Sequence, residues 1–161
     1  MSALDRPTLA RRALLDAMRV SNLFDRRWGA LSQTADITSA QWLTLGLLER
    51  EDKADGLTPT ELCRRLCVSK QNMTGMILRL EKKGLIERRP DPHDRRSFRV
   101  KATPAGSKAI QRLVPFENEF FLRQVETLSD ERLLDLSQGL RLILQKLQNE
   151  EMDAKRAAGS Q

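Results

Sequence analysis

The chain has no tyrosine, a single histidine and two cysteines, and only 4% of its residues are aromatic. So few aromatics argue against the stacking platforms that hold single strands or unpaired RNA bases. His93 has no second histidine to complete a metal site and no orienting partner for acid–base work, so it reads as a polar loop residue. Cys63 and Cys67 lie four positions apart, which does not resemble a disulfide framework, and two thiols without matched histidines make a poor zinc site. No nucleotide loop, metal-ligand cluster or nucleophile–base motif is visible, so neither an enzyme nor a resident cofactor is expected. No segment approaches the roughly 18–20 uninterrupted apolar residues of a membrane span. Met1 to Arg12 is polar, without a signal-peptide core. These absences predict a cytoplasmic protein with no membrane partner, placed on the nucleoid if it binds bacterial DNA.

What the chain does have is positive charge, unevenly placed. Its 28 Lys and Arg against 22 Asp and Glu give a formal net charge of +6 in 161 residues. Residues 79–101 hold nine Lys/Arg and four Asp/Glu, which is +5 of that total. A charge run is commonly just a solvated face. Beside a polar-faced helix it suits a grooved polyanion, because Lys and Arg displace condensed counterions while the helix meets base edges. The length allows one proper core and is short for two independent domains.

Helix grammar is explicit along the chain. Residues 7–33 read as a long helix with apolar Ala10, Ala13, Ala17, Phe24, Trp28 and Leu31 near helical spacing, widened by Leu14 and Met18. Thr38 and Gln41 form a capping box, with Ile37 placed to staple to Trp42, and that helix runs to about Arg50 before a charged loop at 51–56. Thr58, Pro59 and Glu61 repeat the pattern for a short helix ending near Leu66. Ser69 caps the next helix, which buries Met73, Ile77 and Leu80 and ends at Gly84. Leu85–Arg89 reads as a strand, and Phe98, Val100 and Ala102 alternate with Arg99 and Lys101 in its partner. Thr103-Pro104 opens a further helix that Pro115 is expected to bend or interrupt. Ser129 caps the last one, where Leu133, Leu136, Leu140, Ile143 and Leu147 form a seam for another helix. Residues 152–161 read as disordered.

From Ser39 to Gly106 the order helix, helix, helix, strand, wing, strand, helix resembles the MarR family of bacterial winged helix–turn–helix repressors. The resemblance is carried by Leu57-Thr58-Pro59-Thr60-Glu61-Leu62, by Leu80-Glu81-Lys82-Lys83-Gly84-Leu85-Ile86-Glu87-Arg88, by Asp91-Pro92-His93-Asp94-Arg95-Arg96 and by Val100-Lys101-Ala102-Thr103-Pro104-Ala105-Gly106. It implies a mainly α fold with a small β-hairpin wing. A winged helix–turn–helix lobe at 38–103 would be flanked by dimerisation helices at 7–33 and 104–150, in one domain over 1–161. Two positions depart from the family pattern. Cys67 occupies the turn where many relatives have glycine, and Cys63 stands where a small alanine is usual.

The candidate DNA contacts lie on the fourth helix, since helix–turn–helix proteins present the N-terminal part of their second helix to the major groove. Gln71 and Asn72 suit adenine, Lys70 suits guanine or phosphate, and Ser69 and Thr74 suit bases or backbone, with Arg79 further along. The bland alternative is that Ser69 only caps and the rest are solvated. In the wing, the resemblance implies that Arg96 enters the minor groove, with Arg95 as an added contact and Asp94 as the brace. It also implies a small ligand, commonly an aromatic acid, between the dimer helices and the DNA-binding lobe. Arg27, Trp28 and Trp42 are the candidates there, against the plain reading that both tryptophans are core.

The leading expectation is a homodimeric, ligand-responsive repressor on a near-palindromic double-stranded operator. One rival is a thiol sensor using Cys63 or Cys67. Sensor thiols need exposure, whereas Cys63 sits beside the packed Leu62 and Leu66. Peroxide-sensing relatives commonly carry their reactive cysteine in the first helix, which has none here. Another rival is an effector-independent architectural DNA-binding protein, which would bind random and promoter DNA alike.

Overall fold

Local capping sets where each helix begins. In the computed structural model, which describes residues 5–32, 36–50, 56–94 and 96–158, the elements are α1 (Arg6–Ser32), α2 (Ser39–Arg50), α3 (Pro59–Leu66), α4 (Lys70–Lys82), β1 (Ile86–Pro90), β2 (Phe98–Ala102), α5 (Pro104–Val125) and α6 (Asp130–Ala158). Both capping boxes are formed. The Thr38 N–H donates to Gln41 Oε1 at 3.0 Å, and the Gln41 N–H donates to Thr38 Oγ1 at 3.3 Å. At α3 the Thr58 N–H donates to Glu61 Oε2 at 2.8 Å, and the Glu61 N–H to Thr58 Oγ1 at 3.2 Å. Each box satisfies two donors that a helix start otherwise leaves without partners.

The core lies where α2, α3 and α4 meet the hairpin. Leu45, Leu57, Leu62, Met73, Ile77, Leu80, Ile86 and Val100 are buried together there. Five rings, those of Phe24, Trp28, Trp42, Phe120 and Phe121, continue this core between α1, α2 and α5. The hairpin is antiparallel, with Ile86 opposite Ala102, Arg88 opposite Val100 and Pro90 opposite Phe98. Leu57 adds a bridge from the start of α3. Its N–H donates to the Val100 carbonyl at 3.0 Å, and the Val100 N–H returns to the Leu57 carbonyl at 2.7 Å.

Two sequence expectations are corrected, and a third is narrowed: of a bend or an interruption at Pro115, interruption is excluded. The first strand starts at Ile86, not Leu85, because the Leu85 N–H closes onto the Leu80 carbonyl at 3.0 Å and finishes the helix end. Pro115 does not interrupt α5, which is continuous around it. The proline removes one backbone donor, while Ile110, Leu113 and Glu117 stay buried on either side. Residues 152–158 are helical, not disordered. They are rich in strong helix formers, and an Asp153–Arg156 pair at 3.7 Å spans one turn. The loop at 51–56 falls outside the described residues except for Gly56.

A large apolar surface stays uncovered. Leu14, Leu15, Met18 and Leu23 on α1 and Leu136, Leu140, Ile143 and Leu147 on α6 are all exposed, and α6 contributes no residue to the buried core.

Gly56 makes the Leu57–Val100 bridge possible. It adopts φ +74°, and a Cβ there would lie 2.3 Å from the Val100 carbonyl oxygen. Gly56→Ala should therefore destabilise the fold by about 2–3 kcal/mol, combining left-handed strain with a displaced strand. Gly46→Ala, whose Cβ would meet nothing within 4 Å in α2, should be neutral or stabilising. Chemical denaturation of the two variants measures the difference.

Candidate nucleic-acid interface

With Met73, Ile77 and Leu80 turned into the core, α4 exposes Lys70, Gln71, Asn72, Thr74 and Arg79. Some of this polar face is already engaged locally. Ser69 Oγ accepts the Asn72 N–H at 3.2 Å, so Ser69 does cap, and Thr74 Oγ1 donates to the Lys70 carbonyl at 2.9 Å. The side chains of Lys70, Gln71 and Asn72 have no hydrogen-bond or ion-pair partner among the described residues. These are the groups with donors left to offer a ligand.

The turn ahead of α4 is made by a cysteine in the conformation usually given to glycine. Cys67 sits at φ 53°, ψ 42°, and its N–H donates to the Cys63 carbonyl. A non-glycine residue there costs on the order of 1–2 kcal/mol. Gln148 of α6 reaches this turn, with Nε2 donating to the Arg64 carbonyl at 3.0 Å and lying 3.3 Å from Cys67 Sγ. Cys63 is half-buried against the core, whereas Cys67 is exposed.

The wing owes its shape to a pair that the sequence pattern did not single out. Asp91 is 7% exposed, accepts the His93 N–H at 2.9 Å and meets Arg99 Nε at 3.2 Å. Arg99 Nη1 also donates to the Gly56 carbonyl at 3.1 Å, tying the wing to the segment that leads into α3. The His93 backbone N–H, and then the Arg99 guanidinium against the cost of burial, hold the Asp91 carboxyl below the usual carboxylate range. Asp94 braces the wing through the backbone, accepting the Arg96 N–H at 2.9 Å, and the exposed Arg96 guanidinium is left outward. Arg95 lies outside the described residues.

Pairing thins the basic run. Arg88 meets Glu81 at 2.8 Å and stacks over Phe98 at 4.8 Å, Lys83 meets Asp36 at 3.0 Å, and Arg89 pairs with Glu87. With Arg99 on Asp91, at least four of the nine basic side chains counted from the sequence have acidic partners inside the fold. Arg79, Lys82 and Arg96 have none among the described residues.

The three proposed effector residues do not line one cavity, although Trp28 and Trp42 pack together. Arg27 lines a cavity of about 730 Å³ between α1 and α5, with Leu23, Arg26, Phe116, Phe120 and Arg123. Trp42 lines a different one, of about 340 Å³, near Arg50 and Glu117. Trp28 lines neither. It is fully buried, with ring centroids 4.6 Å from Trp42 and 5.3 Å from Phe120.

A helix–turn–helix whose second helix offers a polar face, followed by an antiparallel hairpin with an arginine at its tip, is a winged helix–turn–helix DNA-binding fold. Comparison with known proteins agrees. The MarR family pattern matches residues 35–97. The chain is 31% identical over 141 residues to the transcriptional activatory protein BadR of Rhodopseudomonas palustris, covering 88% of this chain and 79% of that protein. It superposes on S. aureus MepR in complex with DNA with a TM-score of 0.73 at 26% identity, over 84% of this chain and 95% of the other. A MarR variant from E. coli bound to operator DNA gives a TM-score of 0.73 at 26% identity, over 88% and 99% of the two chains. The chain belongs to the MarR family of winged helix–turn–helix transcriptional regulators, whose members are regulators and not enzymes. Among the described residues no helix is long and apolar enough to cross a membrane, and no group of three or more His, Cys, Asp or Glu side chains is placed to hold a metal ion.

Because the Asp91 carboxyl is held down in the folded state, its contribution to stability is complete above its unfolded pKa of about 3.9 and drains away as pH falls through the lower folded value. Asp91→Asn should be less stable than the parent at neutral pH, and that gap should close as pH drops below about 4. Denaturant midpoints measured from pH 7 to pH 3 test this. A gap independent of pH would mean that the carboxylate charge is immaterial.

Proposed function

We propose that the protein acts as a homodimeric repressor that occupies a near-palindromic operator and leaves it when a small aromatic acid binds. The observation that carries the DNA part is the unspent polar face of α4, presented beside a wing whose Arg96 points outward. In this reading Lys70, Gln71 and Asn72 meet the major groove, with Ser69 and Thr74 on the backbone. Arg96, with Arg95 beside it, enters the adjacent minor groove, where negative potential is concentrated. The dimer follows from the exposed leucines of α1 and α6, which one chain leaves in water and a second copy would cover. Two reading helices related by a two-fold axis address half-sites about one helical turn apart.

Sedimentation should give a dimer, and footprinting should protect two half-sites. Joint replacement Leu140→Glu and Ile143→Glu should yield a monomer that loses operator binding, and Arg96→Ala should weaken binding while the dimer stays folded. A well-folded wild-type monomer at micromolar concentration, or a single protected half-site, would sink this assembly.

The effector is assigned to the α1–α5 cavity, where Phe116 and Phe120 supply an apolar wall and Arg26 and Arg27 have no acidic partner among the described residues. An aromatic carboxylate fits that pairing of ring and guanidinium. Binding would favour a dimer whose reading helices no longer match successive grooves. Trp28 and Trp42 back the cavity through Phe120 and the ring cluster and act as reporters, not as walls of the site. Titration with benzoates, hydroxycinnamates and their thioesters should quench tryptophan fluorescence and release DNA over one concentration range. Arg27→Ala should lose the release and keep DNA binding. Release by peroxide alone, dependent on Cys63 or Cys67, would favour the thiol-sensor alternative.

A further inference from the structure

The reading helix carries a glycine in its interior, where no residue but proline is less favourable. Core packing does not account for it. The three atoms nearest a Cβ built on Gly75 all belong to the Arg79 guanidinium, at 3.3 Å for Nη1, 3.7 Å for Nη2 and 3.8 Å for Cζ. The end of the arginine one turn further on therefore lies against the position of a side chain at 75 and would have to give way by a few tenths of an ångström to one.

The charge of that arginine is not used within the fold. Glu81, close to it in sequence, is held by Arg88 at 2.8 Å, and Asp36 is held by Lys83 at 3.0 Å. No acid pairs with Arg79 among the described residues. Helical side chains lean toward the N-terminus, and Gln71, Gly75 and Arg79 repeat at four-residue steps along one strip, exposed at Gln71 and Arg79 and half-buried at Gly75. Lying over Gly75, the guanidinium is carried back about 6 Å, one turn, toward Gln71 and Asn72.

We propose that Gly75 is a positioning residue for base readout: its missing side chain leaves the slot that holds the Arg79 guanidinium along the helix, prearranged to donate two parallel hydrogen bonds to a guanine edge. Bidentate arginine–guanine pairing is the commonest specific major-groove contact, and it rewards a donor fork already in place. A methyl group at 75 would push that flexible fork outward and leave the helix itself intact. The inference rests on the reading role of α4 proposed above.

The test uses the full-length dimer and the duplex that wild-type protein recovers from a randomised oligonucleotide pool. It also uses versions of that duplex with single base pairs changed, and a random duplex. Gly75→Ala should raise Tm by a few degrees, as glycine-to-alanine does inside a helix, yet bind the selected duplex on the order of tenfold more weakly. The loss should fall at one G·C pair per half-site, the same pair whose preference vanishes in Arg79→Ala. The double variant should be no weaker than Arg79→Ala alone. Affinity of Gly75→Ala for the random duplex, and its salt slope, should match wild type, since phosphate contacts are untouched. Unchanged affinity and base preference in Gly75→Ala, or additive losses in the double variant, would overturn the proposal. If Arg79→Ala keeps full base preference while Gln71→Ala relaxes it, this inference falls and α4 remains the reading helix. If neither changes preference, the reading role of α4 falls as well.

Discussion

The two-way backbone bridge between Leu57 and Val100 is the contact on which the DNA-facing geometry depends. It joins the residue just before the α3 cap to the middle of the second wing strand, and both side chains are fully buried beneath it. Because the bond pair is short and dry, wing and helix–turn–helix form one body and do not behave as a hairpin loosely appended to helices. Gly56 clears the approach, and Arg99, adjacent to Val100, extends the tie through the Gly56 carbonyl and Asp91 to the wing tip. In the proposed docking, reading helix and wing arginine act together only if their separation is fixed, and this chain of contacts fixes it.

Charge is handled in two tiers on that frame. The sequence shows one basic block, but pairing inside the fold divides it into structural and available cations. Arg88, Arg89, Arg99 and Lys83 hold acids of α4, β1, the wing tip and the α1–α2 connection, in that order. Arg79, Lys82 and Arg96 have no acidic partner among the described residues. The exposed pairs among them, unlike the buried Arg99–Asp91 pair, contribute little stability each. The larger consequence of the pairing is to neutralise Glu81, Glu87 and Asp91, which would otherwise repel phosphate.

The aromatic cluster has a different task. Phe24 and Trp28 from α1, Trp42 from α2, and Phe120 and Phe121 from α5 bring the long helices into the same packed core as the DNA-binding lobe. Phe120 has one side in this cluster and another on the α1–α5 cavity, beside Arg27. A packed interior responds to displacement by repacking, not by compressing. A group wedged against Phe120 is thus mechanically close to Trp42 and to α2. The tryptophans nevertheless line no common pocket: Trp28 is buried on all sides, whereas Trp42 borders the second cavity.

Much of the architecture was legible in the residues alone. Thr38 with Gln41, Thr58 with Glu61, Ser69, Gly84 and Thr103 mark their helix ends by short-range chemistry that needs no distant partner, and each does so in the structure. The buried face of α4 followed from three- and four-residue spacing, and the family from the helix–wing run. Elsewhere the residues alone misled, for different reasons. Pro115 sits inside an unbroken helix, and the C-terminal helix outlasts its polar composition. Arg99 looked like one more solvated cation until Asp91 and the Gly56 carbonyl were brought to it across the fold. Sequence by itself determined the elements, their order and the sign of their charge, because capping, periodicity and composition are local. Only the tertiary structure decided which cations are spent, which tryptophan is walled in and what fills the gap over Gly75, because each depends on a neighbour supplied by packing.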